Sequence, residues 1–239
     1  MHVHLPKPLH GWREFAGEVG IIVLGVLIAL GAEQAIEGIH DRVVTSQSRR
    51  DVREEVATDL GFYGQRLQES PCIEAKLDEL SKIVERGTVQ KDKVRWIGRP
   101  ADLVSFTERW RAVTSSARTA LFPTMEQSRL DAIYGIFGGL AQESQNEERS
   151  WNDLGIMNRL DGPLDAETRL LLRRALEQAR RTDDVIQTAS YYALFHAHAL
   201  KITANPETAP RRGDIHSICL PLSTDPERAR HLLGLRVPH

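Results

Sequence analysis

The chain has 239 residues, with 31 Lys and Arg against 33 Asp and Glu and a formal net charge of −2 at pH 7. Both signs are interspersed and no basic stripe forms, which argues against nucleic acid as a partner. Hydrophobic residues make up 41% and aromatics only 6%, a balance suited to an all-α domain packed with Leu, Ala, Val and Ile.

The first element is the uncharged apolar run at residues 20–32, the only long one in the sequence. Extended to residues 15–36 it reaches the roughly 20 residues that a helix needs to cross a bilayer. A cleaved signal peptide and a buried core helix compete with this reading. Glu18 and Glu33 bracket the run about 22 Å apart at helical rise, so each carboxylate can sit near an interface. Trp12 and Arg13 suit the headgroup level. The N-terminal tail carries Lys7 and Arg13, whereas residues 33–47 carry Arg42 among Glu33, Glu37 and Asp41. That bias predicts a cytoplasmic N-terminus and an exported body. Ala16 and Gly20, then Gly25 and Ala29, are spaced four apart, which permits close helix approach in lipid.

Beyond the anchor the periodicity is helical. Val52, Val56, Leu60, Tyr63 and Leu67 form one stripe on a helix expected to end before Pro71. Ser70 and Pro71 read as cap and first residue of a second helix with Ile73, Leu77, Leu80 and Val84, stopped at Gly87. Residues 88–100 form a mixed loop in which 94–97 can pair briefly. Asp102 reads as the cap of a third helix, with Leu103, Phe106, Trp110, Val113, Ala117 and Ala120 along a heptad-like seam. Thr124 opens a fourth helix carrying Leu130, Ile133, Tyr134, Phe137 and Leu140, and residues 142–150 can extend it. Trp151, Leu154, Ile156, Met157 and Leu160 make a short helix or clasp, and residues 161–163 a turn. The longest helix is expected at 164–202. The predicted organisation is therefore a cytoplasmic tail (1–14), a transmembrane anchor (15–36), a stalk with the first body helix (37–70), a bundle (71–204) and a C-terminal tail (205–239). The body is an extracytoplasmic bundle of about five or six helices.

The two cysteines, Cys72 and Cys219, are expected to form a disulfide if the body is exported, tying the tail back. No catalytic residue, cofactor site or metal site stands out. His196 and His198 point apart on a helix, and the spacing of His216 and Cys219 lacks a second ligand pair. A terminal pair, His2 and His4, can hold a metal only weakly. A candidate pocket gathers Tyr191, Tyr192 and Phe195 with the basic patch Arg173 and Arg174.

Residues 11–30 carry Gly17-Glu18 and, at 25–30, Gly-Val-Leu-Ile-Ala-Leu. This pattern resembles the anchor of a set of uncharacterised bacterial proteins whose helical extracytoplasmic domain has no assigned activity. The resemblance covers roughly the first 35 residues and implies a single-pass protein of a Gram-negative inner membrane. It supplies no activity and no catalytic residue. The expected role is an accessory, scaffold or sensing subunit that binds the bilayer and another envelope protein, or itself. The alternative is a ligand-binding or enzymatic domain using the aromatic pocket.

Overall fold

The computed structural model describes residues 11–116, 118–209 and 215–234. Residues 1–10 of the expected tail, with His2, His4 and Lys7, lie outside them, as do Ala117 and the side chain of Arg13. The described residues form five α-helices: α1 (Trp12–Arg86), α2 (Glu108–Ser115), α3 (Thr124–Gly155), α4 (Ala166–Ala199) and α5 (Pro226–Leu232). One two-residue pairing, β1 (Thr88–Val89) with β2 (Gly162–Pro163), is antiparallel. The all-α expectation holds.

The chain divides into two compact units, Met1–Ser48 and Arg49–His239. The first holds the apolar run, helical and exposed along its length, with Ile21 74%, Leu27 61% and Ile28 63% exposed. It is the one helical stretch among the described residues that is long and apolar enough to cross a membrane.

In the second unit the buried seam of α1 steps by four and three: Val52, Val56, Asp59, Tyr63, Arg66, Ser70, Ile73, Leu77, Leu80 and Val84. This is a heptad pattern, the geometry of helices packed at a shallow angle. α4 repeats it with Leu172, Leu176, Ala179, Asp183, Ile186, Ser190, Ala193 and Ala197. α3 does so with Leu130, Ile133, Phe137, Leu140, Glu147, Trp151 and Leu154. α3 runs parallel to α1, since Arg49 meets Glu126 and Arg66 meets Glu147. α4 runs antiparallel, since Arg53 donates to the Leu200 carbonyl at 2.8 Å and Arg169 to the Val84 carbonyl at 2.9 Å.

Two apolar clusters result. One packs Ile73, Leu80, Trp151, Met157, Leu172 and Ile218. The other packs Tyr63, Trp110, Phe122, Tyr134, Phe137 and Ile186. In the second, Tyr63 stacks on Phe137 at 4.9 Å and Trp110 on Tyr134 at 5.5 Å. Between the clusters lies a charged layer. Arg66, 1% exposed, holds Glu147 and, at 2.7 Å, Asp183. Its Nε and Nη1 have no protein partner among the described residues. Burial pushes Glu147 up to about 7 and raises Asp183 as well, with the guanidinium opposing both shifts.

Three expectations are corrected. First, α1 does not stop before Pro71; it runs through it. Pro71 offers no N–H to the preceding turn, yet the seam on both sides is fully packed and carries the helix across. Ser70 is no cap: its hydroxyl donates to the Arg66 carbonyl at 3.3 Å. Second, no helix starts at Asp102; α2 starts at Glu108. The preceding segment runs back along α1, and carboxylates of α1 take its N–H groups. Glu69 accepts from Ala101 at 2.8 Å, Asp59 from Phe106 at 3.0 Å and Glu55 from Arg109 at 3.0 Å. From Glu69 to Glu55 is about 21 Å of helix. The eight steps from Ala101 to Arg109 span that distance when extended and only about 12 Å when helical. Third, the expected fourth helix continues through residues 142–150 to Gly155 as one α3, which takes in Trp151 and Leu154 of the expected clasp, while Ile156 and Met157 lie in the short helical turn Ile156–Arg159 that follows. α4 starts at Ala166, where Asp165 caps it by accepting from the Thr168 N–H at 2.8 Å, and α1 rather than α4 is the longest helix.

Asp59 is fully buried, and desolvation pushes its carboxyl up to about 8, against the opposing Phe106 N–H and with help from Glu55 and Glu108. In the unfolded chain an aspartate titrates near 4, so the native state binds the extra proton. The stabilisation is complete below pH 4 and is lost as pH rises towards 8. Asp59→Asn keeps an acceptor for Phe106 and removes this loss. Urea unfolding at pH 5.5 and 8.5 is expected to show a smaller fall for the variant, by about 2 kcal/mol or more. An unchanged difference between the two pH values refutes the assignment.

Candidate functional site

A cleft of about 710 Å³ opens in the second unit, within the range of small-ligand sites. Four stretches build it: Gln65 and Glu69 on α1, the segment 96–102, the end of α3 with residues 156–159, and the tail around His216. The Cys72–Cys219 disulfide, Cα–Cα 4.9 Å, pins the tail one turn from Glu69. Lys76, its ammonium pKa lowered to about 8 by burial, donates to the Leu220 carbonyl at 2.5 Å. The Arg95 and Trp96 N–H groups donate to the Leu222 carbonyl at 2.7 and 2.9 Å. Asp225, which caps α5, also pairs with Arg95; its pKa is lowered chiefly by the Arg228 N–H.

This pinning requires Gly98, which has φ +71°. A Cβ there would stand 2.4 Å from the Ser217 carbonyl oxygen. With Gly98 in place, Trp96 Nε1 donates to that same oxygen at 3.1 Å, which fixes the indole at the cleft wall.

The polar floor is a Glu–His pair. His216 Nδ1 lies 2.8 Å from Glu69 Oε1. Glu69 is 2% exposed and also accepts from Gln65 Nε2 at 3.2 Å and from the Ala101 N–H. A neutral imidazole that donates from Nδ1 to a carboxylate presents Nε2 as an acceptor. Arg99 and Arg159, both exposed, and Asp102 line the same cleft. Arg99 lies 3.8 Å from Glu148. Among the described residues no group of three His, Cys, Asp or Glu side chains converges as a metal site.

Of the residues singled out in the sequence as site candidates, His216 lines the cleft and the two cysteines pin the tail beside it, whereas the others fall elsewhere. The Cys72–Cys219 disulfide is formed, so Cys219 is not a thiolate ligand beside His216. Tyr191, Tyr192 and Phe195 are 60%, 59% and 63% exposed on α4, and Arg173 and Arg174 are exposed as well. Arg173 and Tyr191 are about 27 Å apart at helical rise. The five do not converge, and none lines the cleft. His196 is half-buried and His198 exposed. Ala16, Gly20, Gly25 and Ala29 are exposed, and a Cβ at either glycine meets nothing within 4 Å. At about 100° per residue, Ala16 and Gly20 face the opposite side of the helix from Gly25 and Ala29.

Sequence reasoning did not single out Glu69 or Gln65. It also missed Arg66, Glu147 and Asp183. Their signal was present, since all three sit at core positions of the heptads. No protein-family model matches the chain, and neither a curated protein nor a solved structure matches it.

Proposed function

We propose that this chain is a single-pass membrane protein and that residues 15–36 are its anchor. The N-terminus is cytoplasmic, and the helical body lies in the periplasm of a bacterial cell. It works as an accessory, scaffold or sensing subunit for another membrane or envelope protein. One observation carries the reading: a helix whose side chains from Val19 to Leu30 are apolar and exposed to an extent that water does not tolerate. The disulfide supports export, because such bonds persist in oxidising compartments. The cation bias around the anchor supports the orientation, and the resemblance of residues 11–30 supports the inner membrane. Small residues on two faces of the anchor offer two surfaces for neighbouring helices.

Fractionation of cells expressing the full chain is the first test. The chain is expected in the membrane pellet after carbonate washing and released by detergent. A protease added outside intact spheroplasts is expected to cut the body. Affinity purification from detergent is then expected to recover a second membrane protein in constant proportion, or a defined oligomer. Full-length chain in the soluble fraction overturns the anchor. Repeated recovery of a lone monomer overturns the accessory role.

A further inference from the structure

The geometry points to the Glu69–His216 cleft as a binding site for a small organic anion with a flat apolar body. This goes beyond the proposed role and does not depend on where the body resides. Among the exposed charged groups that line the cleft, two guanidiniums, Arg99 and Arg159, face one carboxylate, Asp102. Glu69 is spent, with its two oxygens meeting three donors from Gln65, His216 and Ala101. That leaves Arg99 and Arg159 against Asp102. Arg99 has a carboxylate neighbour in Glu148, whereas Arg159 has no ion-pair partner among the described residues. A guanidinium open to solvent beside an apolar wall favours a carboxylate or sulfonate.

The wall supplies the second half of the recognition. The Trp96 indole lines the cleft and is held by the Ser217 carbonyl, so it meets an apolar ligand without the entropy of ordering it. His216, oriented by Glu69, presents Nε2 to the ligand's own donor or, when protonated, to its acid group. A cationic ligand meets one exposed carboxylate, Asp102, and with it the two guanidiniums. A polar ligand without an apolar body leaves the indole uncovered.

The test is calorimetric titration of the full chain in lipid nanodiscs, with matching empty nanodiscs subtracted. Three probes of one shape are used: naphthoate, naphthalenemethanol and naphthylmethylamine. Naphthoate is expected to bind one to one, the alcohol more weakly and the amine most weakly. Arg159→Gln, at an exposed position, is expected to weaken naphthoate about tenfold and leave the alcohol unchanged. His216→Gln is expected to weaken both. Tyr192→Ala, on the outer face of α4, is expected to change nothing. Equal affinity for the three probes overturns the proposal. So does the absence of saturable naphthoate binding up to millimolar concentration, an Arg159→Gln variant that binds like wild type, or a loss of binding in Tyr192→Ala.

Discussion

Opening the Cys72–Cys219 bond is expected to lower the stability of the body by up to about 5 kcal/mol. The two half-cystines are 147 residues apart, and in the chain-entropy model a loop of that length contributes roughly this much. Residual structure in the reduced, unfolded chain trims the figure towards the usual 2–4 kcal/mol. The loss is not spread evenly. The tail is otherwise held by scattered contacts: Lys76 on the Leu220 carbonyl, the Trp96 indole on the Ser217 carbonyl, the Arg95 and Trp96 N–H groups on the Leu222 carbonyl, His216 on Glu69, and Ile218 and Leu222 in the core. Cys72→Ser with Cys219→Ser is therefore expected to release residues 215–222 first. The measurement is denaturant unfolding of the double variant beside wild type, with hydrogen exchange at those residues. A shift below about 1 kcal/mol with unchanged exchange in the tail refutes it.

Arg66→Met is expected to be as damaging, for a different reason. The guanidinium is 1% exposed and faces two buried carboxyls. Removing one member of such a group typically costs about 3–5 kcal/mol, because the others stay buried without compensation. Burial already holds Glu147 near 7 and raises Asp183, and loss of the cation raises both further. Carboxyls with raised native pKa values stabilise at low pH and stop doing so as pH climbs through those values. The deficit of the variant is thus expected to be smaller at pH 5 than at pH 8. Replacing Glu147 and Asp183 by Leu in the same chain is expected to restore most of the loss, since a fully apolar layer is often no less stable than a buried ionic one. Unfolding curves at the two pH values decide this. An equal loss at both, or a triple variant no better than the single one, refutes the account.

Much of the architecture was legible because helices declare themselves through spacing. The stripes of α1, α3 and α4 were visible as runs of Val, Leu, Ile and aromatic residues at steps of three and four. The disulfide was legible for a plainer reason: there are only two cysteines. What was hidden depended on distant partners. Leu103, Phe106, Trp110 and Val113 have helical spacing, yet the stretch before Glu108 is extended. Its N–H groups are met by Asp59 and Glu55, some 50 residues away, and it must cover the return journey along α1. Pro71 follows a serine in a good cap pattern, and packing of the seam overrides it. The cleft was hidden most deeply, because Glu69 and His216 meet only after the tail has been bolted to α1. Nothing local marks Glu69 as a carboxylate whose partners, besides Gln65 on the same helix, arrive from two other stretches, at Ala101 and His216.

The ionic layer also limits how the three long helices can line up. A seven-residue repeat taken alone tolerates sliding by one whole repeat, because hydrophobic faces still meet. In this chain, moving α4 one repeat along α1 places Asp183 opposite Asp59 or Ile73 and leaves Arg66 facing Ser190 or Leu176. Each slipped arrangement strands a bare charge in the interior, a penalty of several kcal/mol against the single alignment in which the charges coincide. The three ionic side chains act as an index mark that favours the alignment in which they meet over frame-shifted ones.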